Sequence, residues 1–219
     1  MLTRNLISAS IPPLHTTDRL YHAQQLMNDY HVAHLPVLEG DAYLGVVSEE
    51  QLLQAGDDTA ALSTMLISDG GTAVQAADHF LKALQTAVQN SISTVPVLEG
   101  KKYLGIVSYT DLLRTASQFM SLSDPGALIV LEMDARNYSF GELSRLVESN
   151  DAQITQLNTS VDSETGLMEV TLRVSKLEIS DIIATLQRFE YTVKYYFGEE
   201  LYENELRGNY DNLMHYLRI

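Results

Sequence analysis

Residues 31–53, HVAHLPVLEGDAYLGVVSEEQLL, recur as SISTVPVLEGKKYLGIVSYTDLL over residues 91–113, without a gap and with 12 of 23 aligned positions identical. So close a repeat requires one local fold to form twice, and it is the strongest single constraint on the architecture. In the first copy, Leu35–Leu38 and Tyr43–Val47 are short apolar runs separated by Glu39-Gly40-Asp41-Ala42. That spacing predicts two buried strands joined by a tight hairpin. The second copy repeats the hairpin with Val95–Leu98, the turn Glu99-Gly100-Lys101-Lys102, and Tyr103–Val107. Upstream, Asp18 and Asp78 stand as expected N-caps before segments with helical apolar spacing: Leu20, Ala23, Leu26 and Met27 in one, Phe80, Ala83, Leu84, Ala87 and Val88 in the other. Each unit therefore reads helix, strand, strand, helix.

Two motifs give this unit a family likeness. One is the hydrophobic-Pro-Val strand, Leu35-Pro36-Val37 and Val95-Pro96-Val97; the other is the turn Gly105-Ile106-Val107-Ser108-Tyr109-Thr110-Asp111. Residues 1 to about 120 resemble a tandem pair of CBS domains, with boundaries at 1–60 and 61–122. The resemblance implies an α/β pair with pseudo-twofold symmetry, a flat-disc homodimer, and adenosine-type ligands held between the copies. It also implies roles for particular residues. Asp111 would accept hydrogen bonds from ribose hydroxyls and Ser108 would contact ribose or phosphate. The base would lie on the strand around Val95 and Pro96, with Thr94 and Ile92 as neighbours.

The residues themselves leave a second reading open. Ser-x-x-Asp is also the pattern of a capping box, in which serine caps the helix and the acid reaches back to the cap N–H. Copy one carries Ser48-Glu49-Glu50-Gln51 at this place. A glutamine caps well but substitutes poorly for a carboxylate that must accept two hydroxyl protons, so copy two is the expected binding site. For phosphate, Arg114 is the candidate cation. Lys101 and Lys102 fall in the hairpin turn, at the end of the strands away from Ser108.

Composition narrows the function classes. Twenty-nine acidic against fourteen basic residues give a net charge of −15, so a nucleic-acid backbone would be repelled. The same field disfavours a triphosphate more than AMP. No cysteine is present, which removes disulfides, zinc ribbons and cysteine nucleophiles, as expected of a cytoplasmic protein. Pro12-Pro13 interrupts the N-terminal region where a signal peptide would need an apolar run, and no stretch nears the roughly 18 apolar residues of a membrane helix. His31 and His34 are three apart without a third ligand at a recognisable distance. No P-loop, nucleophile elbow or zinc-protease motif occurs, so no metal, cofactor or enzymatic activity is expected.

After the turn-rich Ser121–Gly126 the pattern changes. Strand-like runs at 127–133, 154–160, 167–174 and 191–197 alternate with helical spacing over 138–149 and 179–189. This is a β-α-β-β-α-β order, a ferredoxin-like split unit. Residues 126–197 are similar to an ACT domain, a small-molecule regulatory module, which makes Asn137 and Gly141 effector-site candidates by resemblance. From residue 199 to 219, Tyr202, Leu206, Tyr210, Leu213 and Leu217 recur every three or four positions and predict an amphipathic helix.

A CBS pair followed by an ACT-like half resembles stand-alone bacterial regulators, including those grouped with acetoin utilisation. The fold expectation is α/β, and the functional one is a regulator sensing AMP or another adenosyl ligand, with an unknown protein as its target. The competing expectation is a ligand-free interaction subunit that docks a partner through its acidic surface and C-terminal helix.

Overall fold

The computed structural model describes residues 1–8, 10–55, 58–65, 67 and 71–198. The segment 199–219, expected to be helical, lies outside them. The chain divides after Phe119 into two compact units.

In the first unit each repeat builds a short strand, a helix, a hairpin and a second helix. Copy one gives β1 (Leu14–His15), α1 (Leu20–Tyr30), β2 (His34–Glu39), β3 (Ala42–Ser48) and α2 (Glu49–Gln54). Copy two gives β4 (Val74–Gln75), α3 (Phe80–Asn90), β5 (Thr94–Glu99), β6 (Lys102–Ser108) and α4 (Tyr109–Phe119). The six strands form one sheet in the order β1-β2-β3-β6-β5-β4. The order is a palindrome about the β3–β6 contact, where Ala42 pairs with Lys102, so the two copies are related by an approximate twofold axis. Even the irregularities repeat: each hairpin carries a bulge, between Val37 and Leu38 and between Val97 and Leu98. Both α1 and α3 end on a non-glycine left-handed residue, His31 and Ser91, each with φ of 53°.

The hairpins form where alternate branched residues meet the helices. Leu35, Val37 and Val47 pack with Leu20, Ala23 and Met27, and Val95, Val97 and Val107 pack with Ala83, Ala87 and Leu112. Asp18 and Asp78 differ from the expectation. They do not cap helices; their carboxylates accept the backbone N–H of His15 at 2.8 Å and of Gln75 at 2.9 Å, closing the turn before each helix. The N-cap positions belong to Arg19 and His79. A short acid satisfies whichever free N–H the local turn presents, and here the last residue of the preceding short strand presents it.

The lead-in segments are exchanged. Thr3 and Arg4 donate their N–H groups to the carbonyls of Asp78 and Ala76, and Leu62 and Ser63 donate theirs to Asp18 and Thr16. Each repeat is thus completed by the stretch that precedes the other one. Ile7 and Ser8 then lie along β6, where Ser8 N–H donates to the Ile106 carbonyl at 2.8 Å.

The second unit comprises β7 (Ala127–Met133), α5 (Phe140–Glu148), β8 (Ile154–Val161), β9 (Met168–Val174), α6 (Ser180–Arg188) and β10 (Thr192–Phe197). Its four strands are antiparallel in the order β10-β7-β9-β8, the ferredoxin-like arrangement that the alternation predicts. Leu143, Leu146 and Val147 of α5 and Ile182, Ile183 and Leu186 of α6 pack against Ile129, Leu131, Val170 and Leu172 on one face of the sheet.

Candidate functional site

At the start of α4, Ser108 ends a strand and the next residues enter a helix. Ser108 Oγ accepts the Asp111 N–H at 3.1 Å and caps the first turn, while its proton goes to Asp111 Oδ2 at 2.7 Å. The other carboxylate oxygen, Oδ1, accepts from the Arg114 guanidinium at 2.8 Å. Copy one differs at this point. Gln51 Oε1 accepts the Ser48 backbone N–H at 2.9 Å and so completes a capping box. One methylene separates the two cases: glutamine spans the distance back to the cap N–H, and aspartate stays with the hydroxyl. The carboxylate is held by two side chains, and its own side chain keeps 31% of its surface exposed.

Asp111 and Arg114 form one wall of a cleft of about 460 Å³. Asn5, Leu6, Ile7 and Ser8 form the other. The lead-in segment is brought there by a close approach over β6. At Gly105, whose φ is +147°, an added Cβ would lie 2.6 Å from the Ile7 side chain and 3.3 Å from the Ser8 carbonyl oxygen. Only glycine permits that backbone angle and that contact together. The wall was not anticipated, although the sequence holds a signal for it: Leu6-Ile7-Ser8 recurs as Leu66-Ile67-Ser68 at the repeat's own offset.

The remaining candidates are placed elsewhere. Val95 is fully enclosed among apolar residues and Pro96 is buried beside it, so this strand offers no open surface to a base. Thr94 is also enclosed, and its hydroxyl donates to the His34 carbonyl at 2.8 Å across the seam between the copies. Ile92 lines a separate cleft of about 340 Å³ at that seam, together with His34, Val88, Ser93 and Tyr109. There Ser93 N–H donates to His34 Nδ1 at 3.3 Å, so the imidazole serves as a neutral acceptor, and burial holds its pKa below the ordinary value. Lys101 and Lys102 sit at the turn end of the β5–β6 hairpin, since Glu99 pairs with Lys102 and Thr94 with Ser108.

In the second unit, Asn137 lines a cleft of about 640 Å³ with Glu132, Asp134, Glu142, Glu190 and Tyr191. Tyr191 donates its hydroxyl to Glu142 Oε2 at 3.0 Å, and burial, then that bond, pushes its phenol up to about 12. Gly141 does not line this cleft; it is the second residue of α5, after the Ser139 cap. Among the described residues no group of three or more acidic, histidine or cysteine side chains is arranged to hold a metal, and no helix is long and apolar enough to cross a membrane.

Comparison with known proteins agrees with this geometry. The CBS domain family model matches residues 4–58 and 72–117. A CBS domain pair/ACT domain protein from Thermotoga maritima superposes with a TM-score of 0.50 at 18% identity, covering 55% of this chain and 99% of that one. A protein put forward as an acetoin utilization protein from Vibrio cholerae matches with a TM-score of 0.49 at 21% identity, over 56% of this chain and 95% of that one. CBSX2, solved in complex with AMP, gives 0.46 at 17% identity, over 54% and 98%. At 18% identity the likeness to the Thermotoga maritima protein concerns the fold alone. With the palindromic sheet and the two matched segments, the first unit is a tandem pair of CBS domains.

Proposed function

We propose that the first unit is a regulatory module that takes an adenosyl ligand, AMP before its higher phosphates, in the cleft beside Asp111. CBS pairs in general are regulatory modules for such ligands. The observation that carries the reading for this chain is the state of the Asp111 carboxylate, which faces a cleft and is engaged by one hydroxyl and one exposed guanidinium rather than by its own backbone.

A ribose diol supplies two O–H donors to the two carboxylate oxygens, replacing Ser108 on one and Arg114 on the other. Arg114, 63% exposed, is then free to turn toward a phosphate. The apolar side chains of Leu6 and Ile7 give the base a surface. Arg114 is the one cation lining the cleft among the described residues, and the protein carries −15, so each added phosphate meets repulsion with no further counter-charge. Occupancy would bias the arrangement of the two copies by its differential affinity for their states, and so reach a regulated partner in a homodimeric assembly. The ACT-like reading of the second half, with Asn137 on its cleft wall, extends the same regulatory role.

Thermal denaturation against AMP, ADP, ATP, NAD and S-adenosylmethionine tests this. A ligand at about 100 times its Kd adds about 2.7 kcal/mol to the folded state, a clear rise in melting temperature. AMP is expected to produce the rise, Asp111→Ala to lose it and Gln51→Ala to keep it. A chain indifferent to all five would be an interaction scaffold with unused clefts.

A further inference from the structure

The two repeats build matching helix pairs, so the outward positions of those helices compare one to one at an offset of 60 residues. Copy one carries Gln24, Asn28 and Glu49 where copy two carries Leu84, Val88 and Tyr109. Leu53 is matched by Leu113, and Tyr21 by Leu81. On α3, Leu81, Leu84 and Val88 follow one another along one side at helical spacing, and on α4 Tyr109 and Leu113 do the same. Val88 and Tyr109 line a common cleft, which joins the two stripes. Leu81, Val88, Tyr109 and Leu113 are 44%, 58%, 37% and 57% exposed. Of two faces equivalent in backbone, one is apolar and the other polar.

We propose that the α3–α4 face is where a second copy of the chain docks, copy two against copy two about a twofold axis. This rests on the homodimeric assembly proposed above and names its face; it is separable from the ligand reading because its test contains no nucleotide.

Charge and area select the occupant. At −15 the chain repels its own copies wherever acids face acids. Helix α3 carries Lys82 and no acidic residue, and α4 pairs its one acid, Asp111, with Arg114. Helices α1 and α2 carry Asp29, Glu49 and Glu50 without a lysine or arginine. A basic partner would be drawn to those acidic helices, whereas a copy of the same acidic chain meets least repulsion at α3–α4. Docking copy two on copy one instead would bury Glu49 against Val88 and Tyr109 with no counter-charge. The exposed fractions amount to about 400 Å² of apolar surface, and with the polar share of an ordinary interface the face reaches roughly 700 Å², near the 800 Å² or so per partner of a specific dimer.

Sedimentation equilibrium of the intact chain is expected to show a dimer. Leu113→Glu sets a carboxylate on each side of the contact and is expected to weaken association at least tenfold, while Leu53→Glu, the matched change in copy one, leaves it within about twofold. A monomeric native protein overturns the proposal, as does equal association of the two variants. The chain has no cysteine, so an introduced thiol reports the contact without background. Val88→Cys and Leu113→Cys are each oxidised mildly, and at least one is expected to give a disulfide-linked dimer. Free thiols in both overturn the proposal. So does a link that forms only when Leu113→Cys is mixed with Leu53→Cys, since copy two would then meet copy one.

Discussion

Ser108 gives its hydroxyl proton to Asp111 Oδ2 at 2.7 Å, and the backbone N–H of Ser108 is left to partners other than that carboxylate. In the first repeat the glutamine at the matching place accepts the serine N–H at 2.9 Å as well as the serine hydroxyl at 3.3 Å. Two otherwise parallel helix starts thus differ in what their third residue can release. A side-chain hydroxyl and an exposed guanidinium are displaceable; a backbone cap bond is displaced only by fraying the helix.

The close approach at Gly105 makes that position intolerant. A methyl there meets the Ile7 side chain at 2.6 Å at a backbone angle that side-chain-bearing residues rarely adopt. Gly105→Ala is expected to destabilise the first unit by about 1–3 kcal/mol and to weaken any ligand response, because the cleft wall must move. Urea titration followed by circular dichroism measures the first effect.

The lead-in exchange predicts where damage falls when residues 1–8 are removed. Their hydrogen bonds go to Asp78, Ala76 and Ile106, all in the second copy. Hydrogen exchange in the truncated chain is expected to accelerate in β5 and β6 more than in β2 and β3. Equal acceleration in both hairpins would contradict the exchange.

His34 ties stability to pH. Its Nδ1 accepts the Ser93 N–H, and burial lowers its pKa, so between the folded value and the unfolded value of about 6.5 the unfolded chain holds more protons. Tyr109 is the other titratable side chain lining that cleft. The contribution is complete above about pH 6.5 and is lost as pH falls through the folded pKa. Melting temperatures between pH 7.5 and 5 are expected to fall more steeply for the native protein than for His34→Gln, whose amide oxygen accepts at every pH.

The helices and hairpins of the first unit and the elements of the second were legible because their apolar spacing is regular, whereas the two-residue strands β1 and β4 are too short to carry a pattern. Val95–Leu98 and Tyr103–Val107 alternate or run apolar just where β5 and β6 form, and the second half shows its β-α-β-β-α-β order from Ala127 to Phe197. What was not legible depends on long-range contacts. Asp18 and Asp78 carry a helix-cap signature, yet the N–H groups they accept lie behind them, and sequence spacing cannot say which side of an aspartate is unsatisfied. Val95 and Pro96 read as a platform with Thr94 beside it, but Val95 is enclosed in the core of its own copy, Pro96 is buried next to it, and Thr94 is tied across the seam to His34. The Asn5–Ser8 wall escaped notice because a chain crossing to the other repeat leaves no periodicity; only the shared Leu-Ile-Ser triplet marks it.

Isothermal titration of AMP into the intact protein and its Asp111→Ala variant tests the account most directly. One saturable site per chain in the native protein, lost in the variant while circular dichroism stays native-like, is the predicted result. Equal binding by both would contradict it, as would the absence of saturable binding to a folded native chain.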